Sequence, residues 1–297
     1  MSDDASGSTL TSASSAGLVL VSVPIGNLGD MTPRAREALA AADLVLCEDS
    51  RVTRRLLAAL GIGARLQPLH DHNEAREVEG LLARLAGGAR LALVSDAGTP
   101  LLSDPGYRLV RAAIAAGHRV TAAPGANAAL MALTLSGLPP HPFLFLGFLP
   151  PRAAARRAAF ADVRRWEAAG LNATLIWHEA PHRLAEALAD AEAVLGPREA
   201  AVARELTKHF EEVRRGSLAE LAAHYAGHEA RGEITLVIAA AAAEARTEED
   251  LDALLRQALA ETSLKEAVAR VAAATGRPRR EVYALALRAS QARSGGE

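Results

Sequence analysis

Four loops rich in glycine, proline and polar residues hold many of the side chains that could do chemistry. Each follows a short apolar run that predicts a β-strand, and they cover residues 23–30, 95–107, 124–127 and 177–183. Ligands of open α/β sheets bind beyond the carboxyl ends of the strands, so these loops predict a binding site. The first loop does not satisfy the GxGxxG pattern, and Pro24 removes a backbone N–H, so this loop does not favour a dinucleotide.

The second of these loops is longer than an ordinary strand–helix connection, which favours a role in binding. It reads Ser-Asp-Ala-Gly-Thr-Pro from Ser95 and continues to Ser103-Asp104-Pro105-Gly106-Tyr107. Its two acids and several hydroxyl groups could contact a polar ligand. Alternatively, Asp104 caps the helix that follows, a role compatible with ligand binding.

Three further segments contain groups that could accept a proton from a substrate hydroxyl. They are Glu48-Asp49-Ser50-Arg51, His70-Asp71-His72-Asn73-Glu74, and Glu205 with Lys208. The first two are the better candidates, and the predicted catalytic residues are Asp49, Arg51, His70, Asp71, His72 and Glu74. The sequence assigns none of them as the base.

Each of these segments also has a structural interpretation. Asp49 with Arg51, and Glu205 with Lys208, could form local ion pairs, which contribute little if exposed. Asp71 could cap a helix. His70, His72 and Glu74 could bind a metal ion, but no second set of ligands supports this, and we predict no metal site.

Two kinds of α/β pattern follow one another along the chain. Up to residue 123, apolar runs alternate with amphipathic helices, which predicts a parallel sheet covered on both faces. The strand candidates there are Leu18–Val23, Leu44–Cys47, Leu91–Val94 and Arg119–Ala122. After residue 124 the strands lie closer together, which predicts a mixed sheet. Those candidates are Phe143–Phe148, Thr174–Trp177, Ala200–Ala203, Phe210–Arg214 and Ile234–Ala240.

The end of the chain is predicted to be helical. Helices are expected over Thr247–Leu259 and Arg279–Ser290, and a capping box at Ser263–Glu266 predicts the start of another between them. Together the three helices resemble a helix-turn-helix bundle. The predicted organisation is therefore a disordered tail over 1–16, α/β domains over 17–123 and 124–243, and a small helical domain over 247–292.

Composition limits the class of partner. The 297 residues carry a formal net charge of −2, so a phosphate-rich partner must be bound by local clusters of basic residues. One cluster is Arg152, Arg156, Arg157, Arg164 and Arg165, and another is Arg277, Arg279, Arg280, Arg288 and Arg293. Arginine suits phosphate, but either cluster alone is more typical of a solvated helix face. The single cysteine, Cys47, and the lack of a signal peptide or membrane span predict a cytoplasmic protein.

Six motifs in order make the chain similar to a known family. They are residues 23–28, 48–51, 70–74, 95–100, 104–107 and 203–208, reading VPIGNL, EDSR, HDHNE, SDAGTP, DPGY and ARELTK. Together they resemble the bacterial ribosomal RNA small subunit methyltransferase I family, which belongs to the tetrapyrrole methylase superfamily, or class III methyltransferases. The resemblance extends from Leu18 to Ser290.

This resemblance implies two α/β domains with S-adenosylmethionine in the cleft between them, usually in a homodimer. It implies 2′-O-methylation of a cytidine in the decoding region of 16S rRNA within the small ribosomal subunit. The resemblance also implies which residues contact the cofactor, by their positions in the matching motifs. They are Pro24, Asp96, Ala97, Gly98, Thr99, Gly125, Ala126, Ala128, Trp177, His178 and Glu179. The predicted RNA contacts are Arg152, Arg156 and Arg157. The chain departs from the family pattern at Asn127 and His178.

Two other functions are compatible with the sequence. A corrin or porphyrinoid methyltransferase of the same superfamily would share the cleft but would not need the C-terminal helices. A non-enzymatic regulator could bind nucleic acid through those helices, but this would leave the four loops unexplained.

Overall fold

The computed structural model describes residues 16–228, 230–241, 248–275 and 278–294. It contains one compact unit that ends at Ala240 and a second that begins at Ala241. All but the last residue of the predicted tail, 1–16, lies outside the described residues. The predicted α/β domain over 17–123 and residues 124–240 of the second lie within the first unit, and the boundary between them at residue 123 stays a prediction.

The first half of the larger unit is built on a five-stranded parallel sheet. Its strands are β1 (Gly17–Val21), β2 (Leu44–Cys47), β3 (Leu66–Pro68), β4 (Arg90–Leu93) and β5 (Val120–Ala123). They lie in the order β3-β2-β4-β1-β5. The prediction of a parallel sheet is confirmed. The sequence missed β3, because its three residues contain a glutamine and a proline and do not form an apolar run.

Helices cover both faces of this sheet. They are α1 (Pro33–Ala41), α2 (Ser50–Leu60), α3 (Glu74–Ala86) and α4 (Tyr107–Ala115). Leu39 and Leu57 bring α1 and α2 to one buried cluster, whereas Leu81 and Leu109 bring α3 and α4 to the other. The sheet is therefore buried on both faces, and the predicted binding loops follow the carboxyl ends of its strands.

The second half contains a five-stranded mixed sheet, as predicted. Its strands are β6 (Phe143–Phe148), β7 (Thr174–Glu179), β8 (Glu199–Arg204), β9 (Glu212–Ser217) and β10 (Ile234–Ile238). The order is β6-β7-β10-β8-β9, and only the pair β6–β7 is parallel.

The two faces of the mixed sheet pack against different partners. The helices are α5 (Ala128–Ser136), α6 (Ala153–Ala168), α7 (Leu184–Leu195) and α8 (Leu218–Gly227). Leu175, Trp177 and Leu236 point into the cluster formed with α6, α7 and α8. Ile176 and Val237 point the other way, into a cluster that contains α5 and Ile25 from the first loop. The second face therefore brings the mixed sheet against loops of the first half.

The smaller unit is helical, as predicted. It consists of α9 (Glu248–Glu261), α10 (Leu264–Thr275) and α11 (Arg279–Ser294), around a core that includes Leu251, Val268 and Val282. The predicted capping box is present, because Ser263 and Glu266 exchange hydrogen bonds at the start of α10. Within the parts of the chain that the structure covers, every helix is too short or too polar to cross a bilayer.

Candidate active site

Three loops of the parallel sheet are joined to each other by hydrogen bonds. The Val23 N–H donates to the Gly98 carbonyl at 2.9 Å, and the Gly98 N–H donates back to Val23 at 3.1 Å. Thr99 Oγ1 accepts from Ser22 Oγ at 3.3 Å and donates to the Ala126 carbonyl at 3.2 Å. The first three predicted binding loops therefore form one connected surface.

Two glycines allow this close approach. Gly98 has φ +72°, and a Cβ there would lie 3.2 Å from Ile25 Cγ2. A Cβ on Gly125 would lie 3.0 Å from Ser22 Cβ. A side chain at either position would push adjacent loops apart, and at Gly98 it would also strain the backbone.

A cavity of about 410 Å³ lies between these loops and the mixed sheet. This volume falls within the roughly 300–1,000 Å³ range of small-molecule sites. The loop side includes Ile25, Asp96–Thr99, Leu102–Asp104 and Asn127–Ala129. The sheet side includes Phe145, Phe148, His178–Pro181, Ala203, Leu206 and 232–235. The two halves of the larger unit both contribute to one site, as the sequence predicted.

The fourth predicted loop contributes mainly through His178. This residue follows Ile176 on the sheet face that packs towards α5, and its Nδ1 lies 3.1 Å from Thr235 Oγ1. Its ring contacts Phe145 and Phe148, with centroids 5.1 and 5.3 Å away. Burial lowers the pKa of His178 below its ordinary value, so the imidazole is neutral at pH 7.

Of the two residues that flank His178, Glu179 borders the cavity and the Trp177 side chain does not. Side chains alternate along a strand, so both lie on the face opposite to His178. Trp177 packs edge to face on Phe160 in the core and does not line the cavity. Glu179 borders the cavity, but its Oε1 accepts from the Ala180 N–H at 2.6 Å and pairs with Arg183 at 2.6 Å.

The predicted cofactor residues of the three loops divide into two groups. Asp96, Ala97, Gly98, Thr99 and Ala128 line the cavity. Pro24, Gly125 and Ala126 lie in the same loops but are not part of the lining, and the Ala126 carbonyl accepts the hydrogen bond from Thr99. Asn127, one of the departures from the family pattern, lines the cavity and caps α5 through its Oδ1, and its Nδ2 donates to Thr99.

Acidic side chains meet at the carboxyl edge of the parallel sheet. Burial raises the pKa of Asp104 to about 6, with further contributions from the charges of Glu48 and Asp96. Partial burial, then Asp96 and Asp71, raise the pKa of Glu48. Asp96 accepts the Asp49 N–H at 3.1 Å, which ties the loops after β2 and β4 together. This edge therefore carries concentrated negative charge.

The six predicted catalytic residues are not part of the cavity lining. Asp49 caps α2 and pairs with Arg51 at 2.6 Å, as the alternative interpretation proposed. The hydrogen bonds from Arg51 hold the pKa of Asp49 at about 2, so Asp49 is a weak proton acceptor at neutral pH.

The segment from His70 to Glu74 lies near Glu48, but it is held by structural contacts. The His70 N–H donates to Asn73 Oδ1 at 2.8 Å, and the rings of His70 and His72 lie 6.0 Å apart. No three His, Cys, Asp or Glu side chains among the described residues are grouped so as to hold a metal ion. Asp71 contributes to the field at Glu48 from outside the cavity.

Glu74 is a buried helix cap. Its Oε1 accepts the Leu109 N–H in the first turn of α4 at 2.9 Å. We expect Glu74→Ala to lower the free energy of unfolding by about 1–3 kcal/mol, because a buried N–H loses its acceptor. Glu74→Gln keeps an acceptor oxygen and should cost much less, and both variants should bind S-adenosylmethionine normally. Chemical denaturation and calorimetric titration test this, and a Gln variant that is stable but inactive would restore the catalytic assignment.

The first arginine cluster is mostly occupied by contacts within the protein. Arg156 is 1% exposed and pairs with the buried Asp190 at 2.6 Å, so it cannot contact RNA, and that prediction is wrong. Arg157 pairs with the same carboxylate at 2.5 Å. Arg164 donates to the Leu195 carbonyl and Arg165 pairs with Asp162. Arg152 is exposed at the start of α6.

Only part of the second arginine cluster can be placed. Arg279 and Arg280 are exposed in the first turn of α11. Arg277 and the side chains of Arg288 and Arg293 lie outside what the structure describes.

Sequence reasoning missed several residues on the sheet side of the cavity. They are Phe145, Phe148, Glu233 and Thr235. Thr235 carried a signal, because it is the one polar residue in the apolar run from Ile234 to Ala240.

The chemistry of the lining selects the charge of its ligand. Four acidic residues border the cavity, of which Glu179 is paired with Arg183 and Glu233 with Lys208, and no Lys or Arg is found in its lining among the described residues. A phosphate-bearing cofactor would be repelled, whereas a sulfonium with an attached ammonium group would be attracted. Phe145 and Phe148 add aromatic faces that attract cations. The residues therefore fit S-adenosylmethionine.

Comparisons with known proteins show the family of the chain. Residues 17–222 match the family described as Tetrapyrrole (Corrin/Porphyrin) Methylases, and 244–290 match the RsmI C-terminal HTH domain. The chain is 48% identical over 268 residues to ribosomal RNA small subunit methyltransferase I of Mesorhizobium japonicum, covering 90% of each protein. It is 46% identical over 277 residues to the protein of that name from Escherichia coli O157:H7, covering 91% of this chain and 94% of the relative.

Solved structures share the fold at lower identity. The methyltransferase CobJ superposes with a TM-score of 0.55 at 20% identity, covering 77% of this chain and 95% of that one. Diphthine synthase superposes with a TM-score of 0.55 at 16% sequence identity, covering 75% of this chain and 90% of that one. The fold, the loop-built cavity and the sequence matches agree, and the chain belongs to the tetrapyrrole methylase family of S-adenosylmethionine-dependent methyltransferases.

Proposed function

We propose that the chain transfers a methyl group from S-adenosylmethionine to the 2′ hydroxyl of a cytidine in the decoding region of 16S rRNA. The observation that carries this proposal is the acidic cavity between the two sheets, which fits a cationic donor and excludes phosphate. Relatives at 46–48% identity over about nine-tenths of the chain are named for action on small-subunit ribosomal RNA.

The donor side of the reaction is provided by the loops of the parallel sheet. S-adenosylmethionine, when bound, supplies a methyl group on a positively charged sulfur. Asp96 would stabilise that charge, and Gly98 and Ala97 leave room for the backbone to approach. Since Thr99 and the Val23–Gly98 bridge hold these loops together, the site is pre-organised before the donor binds.

The acceptor side is formed where the mixed sheet closes the cavity. Phe148 is 58% exposed and Leu102 45% exposed, so apolar surface is available for an inserted nucleoside. Only a neutral base and ribose need to enter, while the phosphates stay outside the acidic lining. Recognition of a splayed nucleotide is how proteins commonly read RNA. Positioning donor and acceptor in this way can account for about 7–11 kcal/mol of a barrier.

The surroundings of this reaction are also part of the proposal. We expect a cytoplasmic homodimer that acts on the small ribosomal subunit, with the exposed Arg152 and the Arg279–Arg280 pair available for phosphates.

A methyl-transfer assay with three acceptors tests this function. The full chain is incubated with labelled S-adenosylmethionine and either small subunits from cells that lack this protein, naked 16S rRNA, or a tetrapyrrole precursor. We expect the label in one cytidine of the RNA, with mass spectrometry placing the methyl group on the ribose. Label on the base, or only in the tetrapyrrole, would contradict the proposal.

A tetrapyrrole substrate is the second candidate within this family. Corrin and porphyrinoid precursors carry several carboxylates around the macrocycle that accepts the methyl group. The four carboxylates of the lining would repel such a substrate. The charge of the cavity therefore favours RNA.

A further inference from the structure

Asp104 differs from the other carboxylates of the cavity, because the others have partners. Asp96 accepts a backbone N–H, Glu179 pairs with Arg183, and Glu233 pairs with Lys208 at 3.1 Å. Asp104 forms no ion pair within the described part of the chain, and its neighbouring hydrogen-bonding group is the Ser95 hydroxyl. Of the four carboxylates, it is the one held by neither a backbone N–H nor an ion pair.

The position of Asp104 places it between the two halves of the site. The preceding residue, Ser103, approaches β6 so closely that a Cβ on Gly147 would lie 3.3 Å from Ser103 Oγ. The next residue of β6 is Phe148, whose ring contacts His178 on the neighbouring strand β7, and both residues line the cavity. Asp104 therefore lies where the donor loops meet the surface proposed for the nucleoside.

Backbone strain supports a functional reason for this placement. Leu101 and Ser103 have φ values of +73° and +71°, in the left-handed region that non-glycine residues seldom adopt. Such conformations are unfavourable and cluster at functional sites. This strain sets the path of the loop that presents Asp104.

We propose that Asp104 is the catalytic residue that accepts the proton of the ribose hydroxyl during methyl transfer. This inference rests on the proposed function. The ribose oxygen forms a bond to the methyl carbon while the sulfur–methyl bond breaks, and the bonding pair stays on the sulfur, which becomes neutral. The hydroxyl proton moves to an Asp104 oxygen and is then released to water.

The electrostatic surroundings of Asp104 suit this role. Burial and the charges of Glu48 and Asp96 raise its pKa to about 6, while His178 and Glu233 border the same cavity from the mixed sheet. A base is most effective when its pKa is close to the working pH, and this carboxylate is ionised yet basic at pH 7–8.

Asp104→Asn tests the proposal by separating turnover from donor binding. We expect kcat to fall by about 10²–10⁴-fold, with the Kd for S-adenosylmethionine within about threefold of the wild type. Asp104→Glu keeps a carboxylate and should recover part of the loss. A large loss of donor affinity with normal kcat at saturation would make Asp104 a donor contact and overturn the proposal. Wild-type protein that methylates no ribose would refute the proposed function instead.

The pH profile gives a readout that a structural role would not change. Wild-type kcat should fall as the pH drops through about 6, and this limb should be absent in Asp104→Asn. Glu48→Gln removes a neighbouring negative charge, so the limb should move to lower pH. A limb that persists unchanged in Asp104→Asn contradicts the proposal.

Stability measurements check that the variant is folded. Because the folded-state pKa is raised above the ordinary value of 3.8, the wild type loses stability as the pH rises from about 4 through 6. Asp104→Asn avoids that loss and should have the higher Tm at pH 8, with the difference shrinking towards pH 5. A lower Tm than wild type at pH 8 would show that Asp104 stabilises the fold, which overturns its assignment as an unpaired base.

Discussion

Replacement of Arg156 by methionine is expected to lower the free energy of unfolding of the α/β unit by about 3–5 kcal/mol. The guanidinium on α6 is 1% exposed and its Nε donates to Asp190 Oδ2 at 2.8 Å. Asp190 is itself 4% exposed, so the substitution leaves a buried carboxylate without its main partner. Urea denaturation at neutral pH measures the effect.

Two controls separate this structural role from contact with RNA. Arg157→Met removes a side chain that is 62% exposed, and we expect a change below about 1 kcal/mol. Arg156→Met combined with Asp190→Leu removes the whole buried pair and should recover most of the lost stability. If Arg156→Met unfolds like the wild type but binds small subunits weakly, the structural assignment is wrong.

Gly98→Val is expected to weaken S-adenosylmethionine binding about 100-fold, or about 2.7 kcal/mol. The backbone at φ +72° is strained for a β-branched residue, and the new Cβ would lie 3.2 Å from Ile25 Cγ2. Relief of that contact must move the first loop away from the second and break the Val23–Gly98 bridge, so the cavity lining would change. Calorimetric titration with the donor measures the loss.

Gly117→Val is the matched control. Gly117 has φ +75°, but no atom lies within 4 Å of its Cβ position, and it is not part of the cavity lining. The Gly117→Val variant should be less stable than the wild type because of the backbone strain, but its affinity for S-adenosylmethionine should be unchanged. Equal effects of the two substitutions on affinity would mean that general destabilisation, and not the loop contact, accounts for Gly98→Val.

Periodicity and turn residues were sufficient to predict most of the fold. Runs such as Leu44–Cys47 are apolar throughout because both faces of the parallel sheet are covered. Thr32 and Pro33 mark the start of α1 as the sequence indicated. The edge strand β3 was missed because it is short and half-buried, so burial leaves little pattern in its residues.

The loops that form the site were also predictable, but the roles of individual side chains often were not. Glycine and proline after each strand identified the loops because such turns need those residues. The motif around His178 did not reveal that Trp177 and Glu179 point to the opposite face, since that depends on which face the helices cover. Arg156 was misassigned because its partner Asp190 lies on a different helix, where local charge patterns give no signal.

Hydrogen exchange with and without S-adenosylmethionine tests most directly whether the cavity between the two sheets is the donor site. We predict slower exchange in peptides that contain 96–104, 127–129 and 232–235, which line the cavity from both sides. The backbone of α8 and of the smaller helical unit should exchange at unchanged rates. Saturating donor that leaves all three segments unprotected, or protects only a distant segment, would contradict this account.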